Sequence, residues 1–81
     1  MKLEIISPDK LLYSGEVDSI ILPGSAGSFE ILPRHAAIIS SLKEGDIIYT
    51  QNGEKTTLRV DGGFAESNGK TISVCVEKVL S

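Results

Sequence analysis

Ile47–Val76 reads IIYTQNGEKTTLRVDGGFAESNGKTISVCV. Two Asn-Gly pairs punctuate it, Asn52-Gly53 and Asn68-Gly69, each between runs that alternate apolar and polar residues. Asn-Gly supplies the positive φ angles of a two-residue hairpin turn and is the strongest short-range hairpin signal. Between the pairs, Thr56, Leu58 and Val60 share one face of a strand, and Lys55, Thr57, Arg59 and Asp61 share the other. Asp61-Gly62-Gly63 is a corner. Phe64–Ser67 and Thr71–Val76 then form a second hairpin with Ile72, Val74 and Val76 inward. Phe64 and Phe29 are expected in the core, and Cys75 is expected to act as a small half-buried hydrophobe.

The earlier part of the chain follows the same period. Leu3 and Ile5 share one face, and Lys2, Glu4 and Ile6 the other. Pro8-Asp9-Lys10 is a turn. Leu11–Ser14 is extended, Gly15 marks a bulge or bend, and Glu16–Leu22 is a strand whose end is apolar on both faces. Ala36–Leu42 and Ile47–Gln51 are further strands, separated by the turn Lys43–Asp46. No segment has the length and spacing of a helix. The expectation is an all-β chain, residues 1–81 as a single domain, folded as an antiparallel sandwich or flattened barrel of about eight to ten short strands.

Ile20–Ser41, IILPGSAGSFEILPRHAAIISS, is the irregular part. It holds the only His and two of the three Pro. Gly and Pro at this density predict a shaped loop between two apolar runs. On a rigid β scaffold such a loop is where function concentrates.

Composition narrows that function. Eight basic and eleven acidic residues leave a net charge of −3, which disfavours a nucleic-acid or anionic-lipid binder, since both need a basic surface. No apolar run approaches the ~20 residues of a membrane span. Met1-Lys2 leads directly into a strand, so no export signal is expected, and a lone Cys75 fits a reducing compartment. At 81 residues the core is small, and support from a partner is expected.

Catalytic chemistry finds little footing. One His and one Cys, about forty residues apart, do not make a zinc site, so neither metal nor cofactor is expected. His35 has no Gly-x-Ser-x-Gly elbow to work with, and Ser40 and Ser41 lie too near it along one strand. Gly24-Ser25-Ala26-Gly27-Ser28 lacks the Lys of a phosphate loop and runs into a strand. Asp61-Gly62-Gly63 lacks the further carboxylates of a calcium loop. The four aromatic residues are scattered without a basic stripe, unlike an oligonucleotide-binding barrel. For His35 two readings stand: it holds the turn after Pro33 by a hydrogen bond to a carbonyl, or it touches a partner.

The residues around that loop become specific when taken in order. Val17-Asp18-Ser19-Ile20-Ile21-Leu22-Pro23-Gly24, followed by Gly27-Ser28-Phe29-Glu30-Ile31-Leu32-Pro33-Arg34-His35-Ala36, resembles the ε subunit of F-type ATP synthases. So do Leu3-Glu4-Ile5-Ile6-Ser7-Pro8-Asp9, Tyr13-Ser14-Gly15-Glu16-Val17, Leu42-Lys43-Glu44-Gly45-Asp46-Ile47 and Val60-Asp61-Gly62-Gly63-Phe64-Ala65-Glu66. The resemblance covers nearly the whole chain. It implies a non-catalytic rotor subunit at the foot of the central stalk of a proton- or sodium-translocating complex. Its partners would be the γ subunit and the c-ring. The place implied is the cytoplasmic face of a bacterial inner membrane, with membrane association only through the complex. Carried over by position, Ser7, His35, Ala36, Ile39 and Ser40 face γ, and Ser25, Ala26, Gly27, Ser28 and Phe29 face the c-ring.

There are departures from the family pattern. Glu30 and Arg34 each stand where the family commonly has Gly, and Ala37 where it has Pro. Glu30 and Arg34 place opposite charges near the implied interface, and strain is expected wherever the replaced Gly had positive φ. Family members continue into a two-helix hairpin that can restrain rotation; this sequence stops at Ser81, so the expectation is an ε-like sandwich without hairpin-based inhibition. The alternative is a free-standing β-barrel that binds a small ligand or nucleic acid.

Overall fold

Nine strands and no helix make up the regular structure of the computed structural model, which describes residues 1–81. They are β1 (Lys2–Ile6), β2 (Leu11–Glu16), β3 (Ser19–Gly24), β4 (Gly27–Ile31), β5 (Ile38–Leu42), β6 (Gly45–Gln51), β7 (Glu54–Val60), β8 (Gly63–Ser67) and β9 (Thr71–Val76). The hydrogen-bonded order is β2-β1-β9-β8-β5-β3-β6-β7, with β4 on β3. The β5–β3 joint is a single pair, Gly24 with Leu42. The curled sheet therefore acts as two layers: a first of β2-β1-β9-β8-β5 and a second of β4-β3-β6-β7. A Val60–Val79 bridge and hydrogen bonds between Arg59 and the Leu80-Ser81 backbone tie the tail to β7.

Both Asn-Gly hairpins form. Asn52-Gly53 is the expected two-residue turn between β6 and β7, with φ of 51° and 82°, whereas the β8–β9 connection spans Asn68-Gly69-Lys70 and only Gly69, at 93°, has positive φ. There Asn68 N donates to Thr71 O, and the Asn68 side-chain oxygen accepts from Lys70 N and Thr71 N. Pairing is antiparallel throughout except at β1–β9, which run parallel from Lys2 opposite Thr71 to Ile6 opposite Cys75. A parallel pair needs a long crossover, and here the whole intervening chain supplies it.

Alternation places the core between the layers. Leu3, Ile5, Ala65, Ile72, Val74 and Val76 meet Ile20, Leu22, Ile31, Ile47, Tyr49 and Val60 across it, all buried. Tyr13 and Tyr49 stack across the layers with ring centroids 4.4 Å apart.

The structure corrects the sequence reading in several places. Ile20–Ser41 is not mainly a loop: most of its first half is the β3–β4 hairpin, turned at Ser25-Ala26, and only residues 32–37 are irregular. Pro23 is tolerated within β3 because its missing donor is not needed there; its carbonyl accepts from Lys43 N at 2.9 Å. The expected strand Glu16–Leu22 is broken at Val17-Asp18, where buried Val17 turns inward. Gly15 pairs regularly with Leu3, and the irregularity falls instead between Ile5 and Ile6, opposite Leu11–Tyr13. Phe64 is not core: it is half exposed, while Phe29 packs against the core cluster. Cys75 is exposed rather than half-buried. Both sit on alternate positions to Ala65, Val74 and Val76, which fill the interior.

Candidate assembly surface

The outward face of the first layer is built by register. Leu11, Ile6, Cys75, Phe64 and Ser41 are successive cross-strand partners from β2 to β5. One step along the strands, Ser14, Glu4, Ser73, Glu66 and Ile39 form the next row. The residues between these rows, such as Ile5, Val74 and Ala65, point inward and are buried. The first row thus places three exposed large apolar side chains, Leu11, Ile6 and Phe64, around Cys75, and the second ends on Ile39, 68% exposed. Single exposed apolar residues are ordinary, whereas a contiguous set on one sheet face marks an interaction site.

Two open hollows flank these rows. One, of about 480 Å³, lies at the β1–β9–β8 end beside Ser7, Pro8, Phe64 and Glu77. The other, of about 560 Å³, is bounded by Ala37, Ile39, Glu66, Asn68 and Thr71. The residues expected to face γ distribute around this face. Ser7 is fixed at the first hollow by hydrogen bonds from its N and Oγ to Lys10 O, at 2.9 and 3.4 Å. His35 and Ala36 lie in the exposed 32–37 segment that leads to the second. Ile39 stands on the face itself. Ser40 does not: it alternates with Ile39, is half-buried, and its Oγ donates to Ser41 O at 2.9 Å.

At His35 the backbone N donates to Leu32 O at 3.1 Å and closes the turn after Pro33. The main chain therefore does the holding that was one reading of the imidazole, and the side chain stays exposed. Arg34, in the same turn, has φ of 69°, a left-handed conformation that costs a non-glycine residue about 1–2 kcal/mol. Glu30 lies in extended β4 opposite Ile21, so only Arg34 bears the expected strain. Glu30 and Arg34 form no ion pair with each other; the ion pairs join the Met1 amine to Glu16 and Arg59 to Glu44 and Asp46.

The residues expected to face the c-ring gather at the β3–β4 tip. Ser25 is held to β5 by its N donating to Ser41 O at 3.0 Å and by a 2.8 Å bond between the Ser25 and Ser41 hydroxyls. Ser25, Ala26, Gly27 and Ser28 are exposed, while Phe29 turns its ring toward the core. The tip thus borders the Ser41 end of the apolar row. No three His, Cys, Asp or Glu side chains converge to hold a metal ion.

Sequence reasoning missed Ile6, Leu11, Phe64 and Cys75. The signal was present in Ile6, the apolar exception on the polar face of β1. Its meaning depended on knowing that β9 and β8 would line up beside it.

All 81 residues match the family described as ATP synthase, Delta/Epsilon chain, beta-sandwich domain. An ATP synthase epsilon chain of Leptospira interrogans is 47% identical over 78 residues, covering 95% of this chain and 61% of the relative. One of Maricaulis maris is 31% identical over 81 residues, covering 100% and 61%. The chain thus spans about three fifths of the length of these relatives. Among solved structures, a chain of the Euglena gracilis mitochondrial ATP synthase superposes with a TM-score of 0.89 at 20% identity, over 96% of this chain and 51% of that one. A chain of the Tetrahymena thermophila mitochondrial ATP synthase central stalk and c-ring gives 0.83 at 14% identity, over 99% and 65%. At those identities the superpositions establish the shared fold.

Proposed function

The chain belongs to the ATP synthase delta/epsilon-chain β-sandwich family, and from that membership we propose that it is a non-catalytic subunit of the central stalk. Residues 1–81 act as one sandwich unit that turns with the rotor of a proton- or sodium-translocating F-type ATP synthase. It links the γ subunit to the c-ring at the cytoplasmic face of a bacterial inner membrane. The observation that carries this reading is the exposed apolar row Leu11, Ile6, Cys75 and Phe64, a surface suited to burial against another protein. The outward face of the first layer, with Ser7, His35, Ala36 and Ile39 around it, meets γ. The tip Ser25–Ser28 meets the c-ring loops.

The mechanical demand fits the architecture. A coupling element must deform little under load, and a close-packed β core bordered by short turns has low compressibility. The hydroxyl pair Ser25–Ser41 and the Lys43–Pro23 bond stiffen the tip against β5. Docking also adds stability to a small domain by mass action.

The test is recovery of partners by the affinity-tagged full chain from detergent-solubilised membranes of its own organism. Co-purification of γ and c subunits is expected. Recovery of a nucleic acid or a small ligand in their place would overturn the reading.

A further inference from the structure

The charge of the first layer's outward face specifies the chemistry of its partner. Glu4 and Glu66 flank Ser73 in the row beside the apolar one. Neither carboxylate has an ion-pair partner. Adjacent strands lie about 4.8 Å apart, so Glu4 and Glu66, two strands apart, stand roughly 10 Å from each other. One row further, Glu16 lies opposite Lys2 and is engaged by the Met1 amine at 3.1 Å. Glu77 borders the first hollow, beside Ser7 and Phe64. Lys2 and the Met1 amine, both beside Glu16, are the cations in these rows. An apolar strip edged by unpaired carboxylates disfavours a second copy of the same face, because like charges would be brought together as the strip is buried.

Resting on the γ-docking reading above, we propose that this face receives a segment of γ that presents an apolar stripe flanked by Lys or Arg side chains, which pair with Glu4 and Glu66. The apolar row supplies the buried centre. The two carboxylates supply a rim that steers encounter and sets orientation. Rim charges act chiefly on the association rate and its salt dependence, whereas buried apolar groups act on dissociation.

The experiment measures association and dissociation rates of the full chain with purified γ from the same enzyme, at low and high salt. Glu4→Lys/Glu66→Lys is expected to slow association about tenfold or more at low salt, with the difference shrinking to under about threefold at high salt. Phe64→Ser is expected to accelerate dissociation at both salt concentrations. Glu54→Lys, on the β6–β7 hairpin of the other layer, removes the same kind of charge and is expected to leave both rates unchanged. Circular dichroism checks that each variant folds. Two results overturn the proposal: equal association rates for wild type and Glu4→Lys/Glu66→Lys, or an effect that persists undiminished at high salt. Wild type that fails to bind γ at all would overturn the docking reading itself, and the proposal with it.

Discussion

Gly53 and Gly63 separate two costs of a side chain that are usually entangled. Both have positive φ, 82° at Gly53 and 152° at Gly63. A Cβ at Gly53 would meet nothing within 4 Å. One at Gly63 would press into the backbone of β9, against the Cys75 carbonyl and with Val76 Cα at 2.9 Å. Gly63 pairs with Val76 on one side and Leu42 on the other, so no flexible side chain can yield. Gly53→Ala should cost about 1 kcal/mol, the left-handed penalty of about 1–2 kcal/mol partly offset by the stiffer unfolded chain. Gly63→Ala adds overpacking against a central strand, typically about 1–3 kcal/mol, to the penalty of its own positive φ, and should cost about 3 kcal/mol or more in total. For a domain of this size 1 kcal/mol moves Tm by roughly 4–8 °C. Urea titration followed by circular dichroism, with Tm from the same samples, gives both values. Equal losses for the two variants would refute the close approach of β8 to β9.

Three further outcomes are expected. The Tyr13 hydroxyl is buried without a partner, so Tyr13→Phe should match or exceed wild-type stability by up to about 1 kcal/mol. Burial, then the neighbouring Tyr49 and Glu16, raise its phenol above the ordinary 10.0. The unfolded phenol therefore ionises first, and wild-type stability should decline as pH climbs through 10 more steeply than that of Tyr13→Phe, as pH-dependent urea midpoints would show. Phe64→Ser, at a half-exposed site, should shift the urea midpoint little, whereas Ile47→Ala in the sealed core should cost about 2–5 kcal/mol. Exchanging the charges in Glu30→Lys/Arg34→Glu should weaken rotor co-purification while leaving the isolated fold intact; unchanged recovery would remove both residues from the interface.

The second half of the chain was legible because Asn-Gly turns fix register locally, and register fixes faces. Strand pairings that join distant segments were not legible. The parallel β1–β9 contact depends on the path of the whole chain, and the apolar row of Ile6, Cys75 and Phe64 exists only through it. Phe64 read as core because aromatic residues usually are, yet Ala65 occupies the inward position beside Val74. Pro23 hid the β3–β4 hairpin, since a proline argues against a strand unless its neighbour asks for no donor. The tip and the His35 segment were visible as unusual sequence. That Ser40 would turn away from Ile39 follows from strand period alone.

The most direct test of the stalk assignment is rotor recovery with Ile39→Asp/Phe64→Asp in the tagged full chain. Both substitutions lie on the outward face and leave the core untouched. The variant is expected to fold and no longer retain γ, while wild type retains γ and the c subunits. Full retention of γ by that variant would place the docking surface elsewhere and contradict docking through the outward face of the first layer.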